Sequence, residues 1–210
     1  EPNLILAIEL LAKWDFVMDK QSQTPTIYAV FFQKLMENIF IDEMGDELFK
    51  EYVFIANVPY RKIQELMKKG TSTWWDNVNT AELESKDDII RKSLIDAVSE
   101  LEEKFGANIT NWQWRNLHTV TFQHAFGIAS PFLGKLLNIG PFPISGDGTT
   151  IFNTEYSFAE PYNNKLGPAM RFLYDFSKPD ELNFILPSGQ SGYFLSDHYS
   201  DMTNMWLSGD

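Results

Sequence analysis

The chain has 210 residues, a formal net charge of −12, 44% hydrophobic residues and 15% aromatic residues, enough for one large domain or two small ones with a substantial core. Its acidic balance excludes the basic footprint that nucleic-acid binding needs and opposes adsorption to anionic membranes. Cysteine is absent, which excludes disulfides, thiolate catalysis and cysteine-based zinc sites within the chain, and no apolar run approaches the ~18 residues of a membrane-spanning helix.

Glu1-Pro2-Asn3 shows neither an initiator Met nor the basic-then-apolar form of a signal peptide, so the chain is expected to be cut from a longer polypeptide. Leu4, Ile8, Leu11 and Phe16 sit near helical spacing. Thr24-Pro25 reads as an N-cap and first-turn proline for a helix burying Tyr28, Phe31, Phe32, Leu35 and Ile39. Gly45-Asp46 opens a short segment through Tyr52, and Pro59 to Lys69 predicts another helix closed by Gly70. The clearest helix runs from about Ser85, its cap, to Phe105, with Gly106 as the stop. Ile90, Leu94, Ala97, Val98, Leu101 and Phe105 form its apolar stripe.

After Pro131 the pattern changes. Gly140-Pro141-Phe142-Pro143 and Gly146-Asp147-Gly148 read as turn clusters. Thr149 to Phe158, Met170 to Phe176 and Asn183 to Pro187 read as strands, the last as a buried central one. Tyr193 to Leu207 is expected to close the chain as a helix. The prediction is one α+β unit, mainly helical over 1–130, with strands plus a terminal helix over 131–210.

Serine, aspartate and histidine crowd together near the end, as Ser191, Asp197 and His198. Gly189-Gln190-Ser191-Gly192 nearly forms a Gly-x-Ser-x-Gly nucleophile elbow, but Tyr193 stands where the second glycine belongs. Adjacent Asp197 and His198 cannot both turn toward Ser191, so a structural turn is expected here. His118 and His124 lack the spacing of a metal pair, and His118 beside Trp112 and Trp114 reads as a hydrogen-bonded structural histidine. Gly146-Asp147-Gly148-Thr149-Thr150 lacks the lysine of a phosphate loop. Trp74-Trp75-Asp76 would either cover the core or, with Trp112 and Trp114, offer a stacking platform for glycans or other ligands in a non-enzymatic binding module.

In order along the chain, Trp112-Gln113-Trp114 with His118, Phe122 and His124, then Gly146-Asp147 with Thr149-Thr150, then Gly167-Pro168, Met170-Arg171 and Asp175, form a series. It ends with Leu186-Pro187-Ser188-Gly189-Gln190-Ser191-Gly192, Ser196, His198-Tyr199, Asp201 and Trp206. Together with Leu11, Trp14-Asp15 and Met18, the series resembles the penicillin acylase (penicillin amidase) family over essentially the whole chain. Arg115, Phe16 and Met202 depart from its usual pattern.

The resemblance implies an N-terminal-nucleophile hydrolase with an αββα sandwich. Its precursor cleaves itself to expose a serine whose α-amino group acts as the base in amide hydrolysis. Glu1 is not such a nucleophile. The chain then corresponds to the C-terminal part of the larger chain, continuing beyond Gly209-Asp210 in the family, and is inactive alone. No catalytic residue, metal or cofactor is expected within it. Its partners would be the remaining segments of its own precursor and, in the parent, a small amide such as a β-lactam or an N-acyl homoserine lactone. Self-association of the fragment is also expected. The family's habit of export implies a periplasmic or secreted protein. Asp175 is a candidate to stand behind an active-site base supplied by another segment, or to organise neighbouring strands with Arg171. Trp112, Trp114, His118, Gly146, Asp147, Arg171, Gly189, Gln190, Ser191, Gly192, His198 and Trp206 carry structural motifs.

Overall fold

The computed structural model describes residues 2–55 and 57–209; the expectations resting on Glu1 and Asp210 lie outside them. Helices occupy the first half: α1 (Pro2–Ala12), α2 (Thr24–Tyr52), α3 (Asn57–Lys69) and α4 (Lys86–Phe105). The rest holds β1 (Thr119–Phe122), α5 (Ala125–Ala129), α6 (Pro131–Leu137), β2 (Ile139–Pro143), β3 (Arg171–Tyr174), β4 (Leu182–Ile185) and α7 (Thr203–Ser208). The α+β class read from the sequence is the class observed.

Helix α2 is the spine of the helical half, packed mainly against α4. Ile27, Val30, Leu35, Met36, Ile39 and Phe40 are almost wholly buried, because neighbours cover it on several sides rather than along one stripe. Its N-cap is Gln23, with Thr24 and Pro25 already in the first turn, so the helix begins one position earlier than the sequence suggested. Gly45 takes non-helical angles and breaks the helix, and the Asp46 to Tyr52 stretch continues beyond the break.

The predicted cap of α4 is present. Ser85 accepts from the Asp88 N–H while the Asp88 carboxylate accepts from the Ser85 N–H, a reciprocal box that satisfies two donors of the first turn. The buried line is Ile89, Ser93, Ala97, Val98 and Leu101, with Ile90, Leu94 and Phe105 half-buried at its margin. A polar seam joins α2 to α4. Asn38 Nδ2 donates to Ser93 Oγ at 3.1 Å and Asp96 Oδ2 at 3.0 Å, and Lys34 pairs with Glu100 at 2.8 Å. Asn3 on α1 joins it, donating to Glu102 and to the Ala107 carbonyl.

Several expectations after residue 118 are corrected. The Gly140-Pro141-Phe142-Pro143 cluster is strand β2, which pairs antiparallel with β1 (Val120 opposite Phe142) and carries a bulge beyond that pair. Residues 149–158 are turns and isolated bridges rather than a strand. Their short polar side chains bond back to the local backbone: Asp147 Oδ1 accepts from the Thr149 N–H, and Asn153 Oδ1 from the Glu155 N–H. Such bonds compete with ladder pairing.

Strand β4 is not a buried central strand. It forms a two-stranded antiparallel hairpin with β3, in which Phe172 faces Phe184 and Tyr174 faces Leu182. That aromatic face is exposed, with Phe172 at 60% and Phe184 at 42%. The expected 193–207 helix shortens to α7. Ser191 Oγ accepts from the Tyr193 N–H and Ser196 Oγ from the His198 N–H, holding this stretch in successive turns.

Candidate functional site

The motif residues gather into two knots, one deep and one superficial. In the deep knot, residues 14–22, 112–118 and 144–162 are sewn together by main-chain bonds: Gly146 N–H to Met18 O at 2.8 Å, Trp114 N–H to Ser22 O at 2.9 Å and Ile144 N–H to His118 O at 3.3 Å. Trp112 and Trp114 are wholly buried, their indole N–H groups donating to the Gly106 and Gly146 carbonyls. Gly146 has φ +88°, and a Cβ there would lie 2.1 Å from the Phe152 carbonyl oxygen, so only glycine fits this crossing. Asp147, 3% exposed, accepts from the Thr149 N–H and hydroxyl at 2.8 and 2.9 Å.

His118 lies at the centre, fully buried. Nδ1 is 2.6 Å from the Tyr162 carbonyl oxygen, which can only accept, so Nδ1 carries a proton. Nε2 lies 3.0 Å from the Thr154 hydroxyl, and the ring stacks on Trp114. Burial lowers the His118 pKa to about 4, against the raising effect of the Tyr162 carbonyl and Asp147. The imidazole is therefore neutral at pH 7, with both nitrogens engaged and no open face for a substrate. It is the structural histidine expected from its neighbours.

The superficial knot is the Gly189–Trp206 segment. A Cβ on Gly189 would lie 2.1 Å from the His198 carbonyl oxygen and 2.5 Å from Asp201 Oδ1. Glycine here lets two turns touch. The Ser191 N–H donates to His198 O at 3.0 Å and the Met202 N–H to Ser188 O at 2.9 Å, closing the contact. His198 Nδ1 pairs with Asp201 Oδ2 at 2.8 Å, which raises the His198 pKa. The partner is Asp201 rather than Asp197, and Ser191 Oγ is occupied by the Tyr193 N–H. Ser191, Asp197 and His198 thus form no triad. Gln190 is exposed, and Gly192 has open space around its Cα.

Trp206, 1% exposed, donates from Nε1 to the Pro168 carbonyl at 2.9 Å, and its own carbonyl accepts from Arg171 Nη1 at 2.5 Å. The Arg171 guanidinium rests on the Phe152 and Trp206 rings. This cluster anchors the open end of the β3–β4 hairpin to the small core of Val120, Ile144 and Trp206. Asp175 is exposed after β3, and its Oδ1 accepts from the Ser177 N–H and hydroxyl at 2.9 and 2.7 Å.

The proposed tryptophan platform is corrected. Trp75, Trp112 and Trp114 have at most 1% of their surface exposed, because the helical core and the deep knot enclose them. Half-buried Trp74 packs edge-on against Phe40. Among the described residues no group of histidine, aspartate and glutamate has the geometry to hold a metal ion. Sequence reasoning missed Thr154, whose hydroxyl reaches both His118 and the Ser145 carbonyl. It also missed a surface groove of about 780 Å³ beside β1, bounded by residues 163–169 and Trp206. Neither leaves a spacing signature.

The penicillin amidase family profile matches residues 1–210. An acyl-homoserine lactone acylase from Pseudomonas aeruginosa is 32% identical over 97% of this chain, and one from Pseudomonas fluorescens 29% over 95%. The penicillin acylase 2 proenzyme of a Pseudomonas species is 25% identical over 94% of this chain. The chain spans about a quarter of the length of these curated relatives. On the whole-chain match, it belongs to the penicillin amidase family.

Proposed function

We propose that this chain is the C-terminal part of an amidohydrolase that cleaves the carboxylic amide bond of a small acylated molecule, such as an N-acyl homoserine lactone or a β-lactam side-chain amide. The observation that carries the reading is a conjunction. The whole chain is similar to acylases, yet the serine–histidine–aspartate cluster near its end is assembled as a turn lock. The nucleophile is accordingly assigned to another segment of the same precursor, as an N-terminal serine whose α-amino group takes the proton during acyl transfer. The present residues support that segment: the deep knot fixes the frame, and the Arg171–Trp206 anchor holds the hairpin. Asp175 serves the hairpin turn, which favours a strand-organising role. On the family resemblance, the parent is assigned to several chains, and to the periplasm or the exterior.

The test is hydrolysis by the complete protein of a series of N-acyl homoserine lactones and of penicillin G, followed by amine release. Turnover is expected, with loss on replacing the N-terminal serine of the catalytic segment by alanine, and no turnover by the 210-residue chain alone. Turnover by this chain alone that disappears in Ser191→Ala would overturn the assignment.

A further inference from the structure

Acidic residues are segregated along this chain. Residues 104–146 hold none of its 29 Asp and Glu side chains, while Lys104, Arg115 and Lys135 give that stretch a formal +3 in a chain of −12. Within it, α5 and α6 form a small helical hairpin. A Cβ on Gly127 would lie 2.3 Å from Asn138 Oδ1 and 3.0 Å from the Gly134 Cα, so glycine lets the two helices touch. At the tip Ser130 caps α6, accepting from the Leu133 N–H, and Pro131 opens its first turn. At the base the His124 N–H donates to Asn138 Oδ1 at 3.0 Å, and the Tyr199 hydroxyl donates to the Leu137 carbonyl. The outer surface of this fastened hairpin is apolar. Helix α5 buries none of its residues and α6 only Gly134 and Leu137. Phe126 is 64% exposed, Ile128 72%, Phe132 77% and Leu136 62%. Phe132 and Leu136 lie one turn apart on the same face of α6, with Ile128 just before the tip. Lys135 is the single charge on the two helices, and it is exposed.

We infer that this hairpin docks on an anionic lipid surface. Ile128, Phe132 and Leu136 enter the boundary between headgroups and acyl chains, and Lys135 meets the phosphates. An exposed apolar patch of this kind marks a protein or a membrane contact, and the charge pattern selects the membrane. The rim of a protein interface is polar and accepts charge of either sign. A layer of anionic headgroups repels carboxylates, and this stretch has none. The net charge of −12 opposes adsorption of the chain as a whole. At physiological salt, however, charges farther than about 8 Å are largely screened, so the stretch nearest the surface decides. Asp197 and Asp201 flank Tyr199 at the base of the hairpin, where Asp201 is paired with His198, so the tip leads. No described helix is long and apolar enough to cross a membrane. The contact is interfacial, at the depth of about 5–10 Å that an amphipathic helix reaches.

Vesicle flotation of the complete protein tests the proposal. It should float with vesicles of equal parts phosphatidylglycerol and phosphatidylethanolamine. The double variant Ile128→Ser, Phe132→Ser should bind about tenfold more weakly. Both side chains are mostly exposed, so the fold should survive, which circular dichroism checks. Lys135→Glu places a carboxylate in the acid-free stretch and should also weaken binding about tenfold. Leu83→Ser is the control. Leu83 is 86% exposed but sits between Glu82 and Glu84, and its replacement should leave flotation unchanged. Failure of the complete protein to float would overturn the proposal, as would an equal loss in Leu83→Ser or equal binding to vesicles of phosphatidylcholine alone. Slowed amide exchange of residues 126–136 in the complete protein without lipid would give the face to another segment of that protein. A dimer dissolved by Phe132→Ser would give it to a second copy. Either result sinks the lipid contact.

Discussion

The imidazole of His118 stacks on the indole of Trp114, with centroids 4.6 Å apart and planes 17° from parallel. The pair shares a fully buried pocket in which one ring is titratable and the other is not.

Acid should therefore loosen the protein through His118. Its folded pKa, about 4, lies below the ordinary value of 6.5, so the unfolded chain binds the proton more readily between those values. The stabilisation is fully present above pH 6.5 and is lost as pH falls toward 4, by on the order of 3 kcal/mol. Urea midpoints from pH 7.5 to 4.5 should fall in wild type and lose much of that slope in His118→Gln. An unchanged slope in the variant would refute the assignment.

Glu43 should act in the opposite direction. Partial desolvation, then hydrogen bonding and repulsion from Asp42, push its pKa up to about 7. A carboxyl with a raised folded pKa favours the folded state while protonated, so its contribution fades as pH rises from about 4.5 toward 7. Glu43→Gln should flatten the decline in thermal midpoint across that window. A steeper decline would contradict the sign.

A pair of glycines offers an internal control. Gly189→Ala drives a methyl into the His198 carbonyl and should cost about 1–3 kcal/mol in urea unfolding. Gly192→Ala meets open space and should stay within about 0.5 kcal/mol. Equal costs would mean that the two turns are not locked together.

Ser191→Ala removes an acceptor for one exposed N–H and should cost no more than about 1 kcal/mol of stability. In the complete protein it should leave kcat for amide hydrolysis within about twofold, well under the tenfold that 1.36 kcal/mol of barrier would produce.

Trp206→Ala removes an indole that is 1% exposed, together with its bond to Pro168 and the ring beneath Arg171. A loss of about 3–5 kcal/mol is expected, with faster amide exchange in β3 and β4. Exchange confined to α7 would show that the hairpin is anchored elsewhere.

Legibility in the sequence followed the range of the forces involved. The cap at Ser85, the stop at Gly106 and the Ala97, Val98 and Leu101 part of the α4 apolar line are local, and the sequence displays them. The structural character of His118 was legible from its tryptophan neighbours and from the absence of a metal spacing. Strand β2 was hidden because its glycine and prolines signal turns, and only pairing with Val120, some twenty residues earlier, makes it a strand. The 149–158 stretch erred the other way. Its β-branched and aromatic residues suit a strand, but the Asp147, Thr150 and Asn153 side chains occupy the backbone first. The Asp201 partner of His198 was present in the motif, yet its choice over Asp197 depends on how the turns close around Gly189.

The join at Gly146 has a consequence for the chain during its synthesis. The Met18 carbonyl and the Trp114 indole both find their partners on Gly146. Helices α1 to α4 can leave the ribosome and pack while both groups still wait. Until residues 144–162 emerge, the nascent helical body lacks both the fastening at Gly146 and the Tyr156, Phe158 and Tyr162 rings of its core, and any pause before they emerge prolongs that exposure.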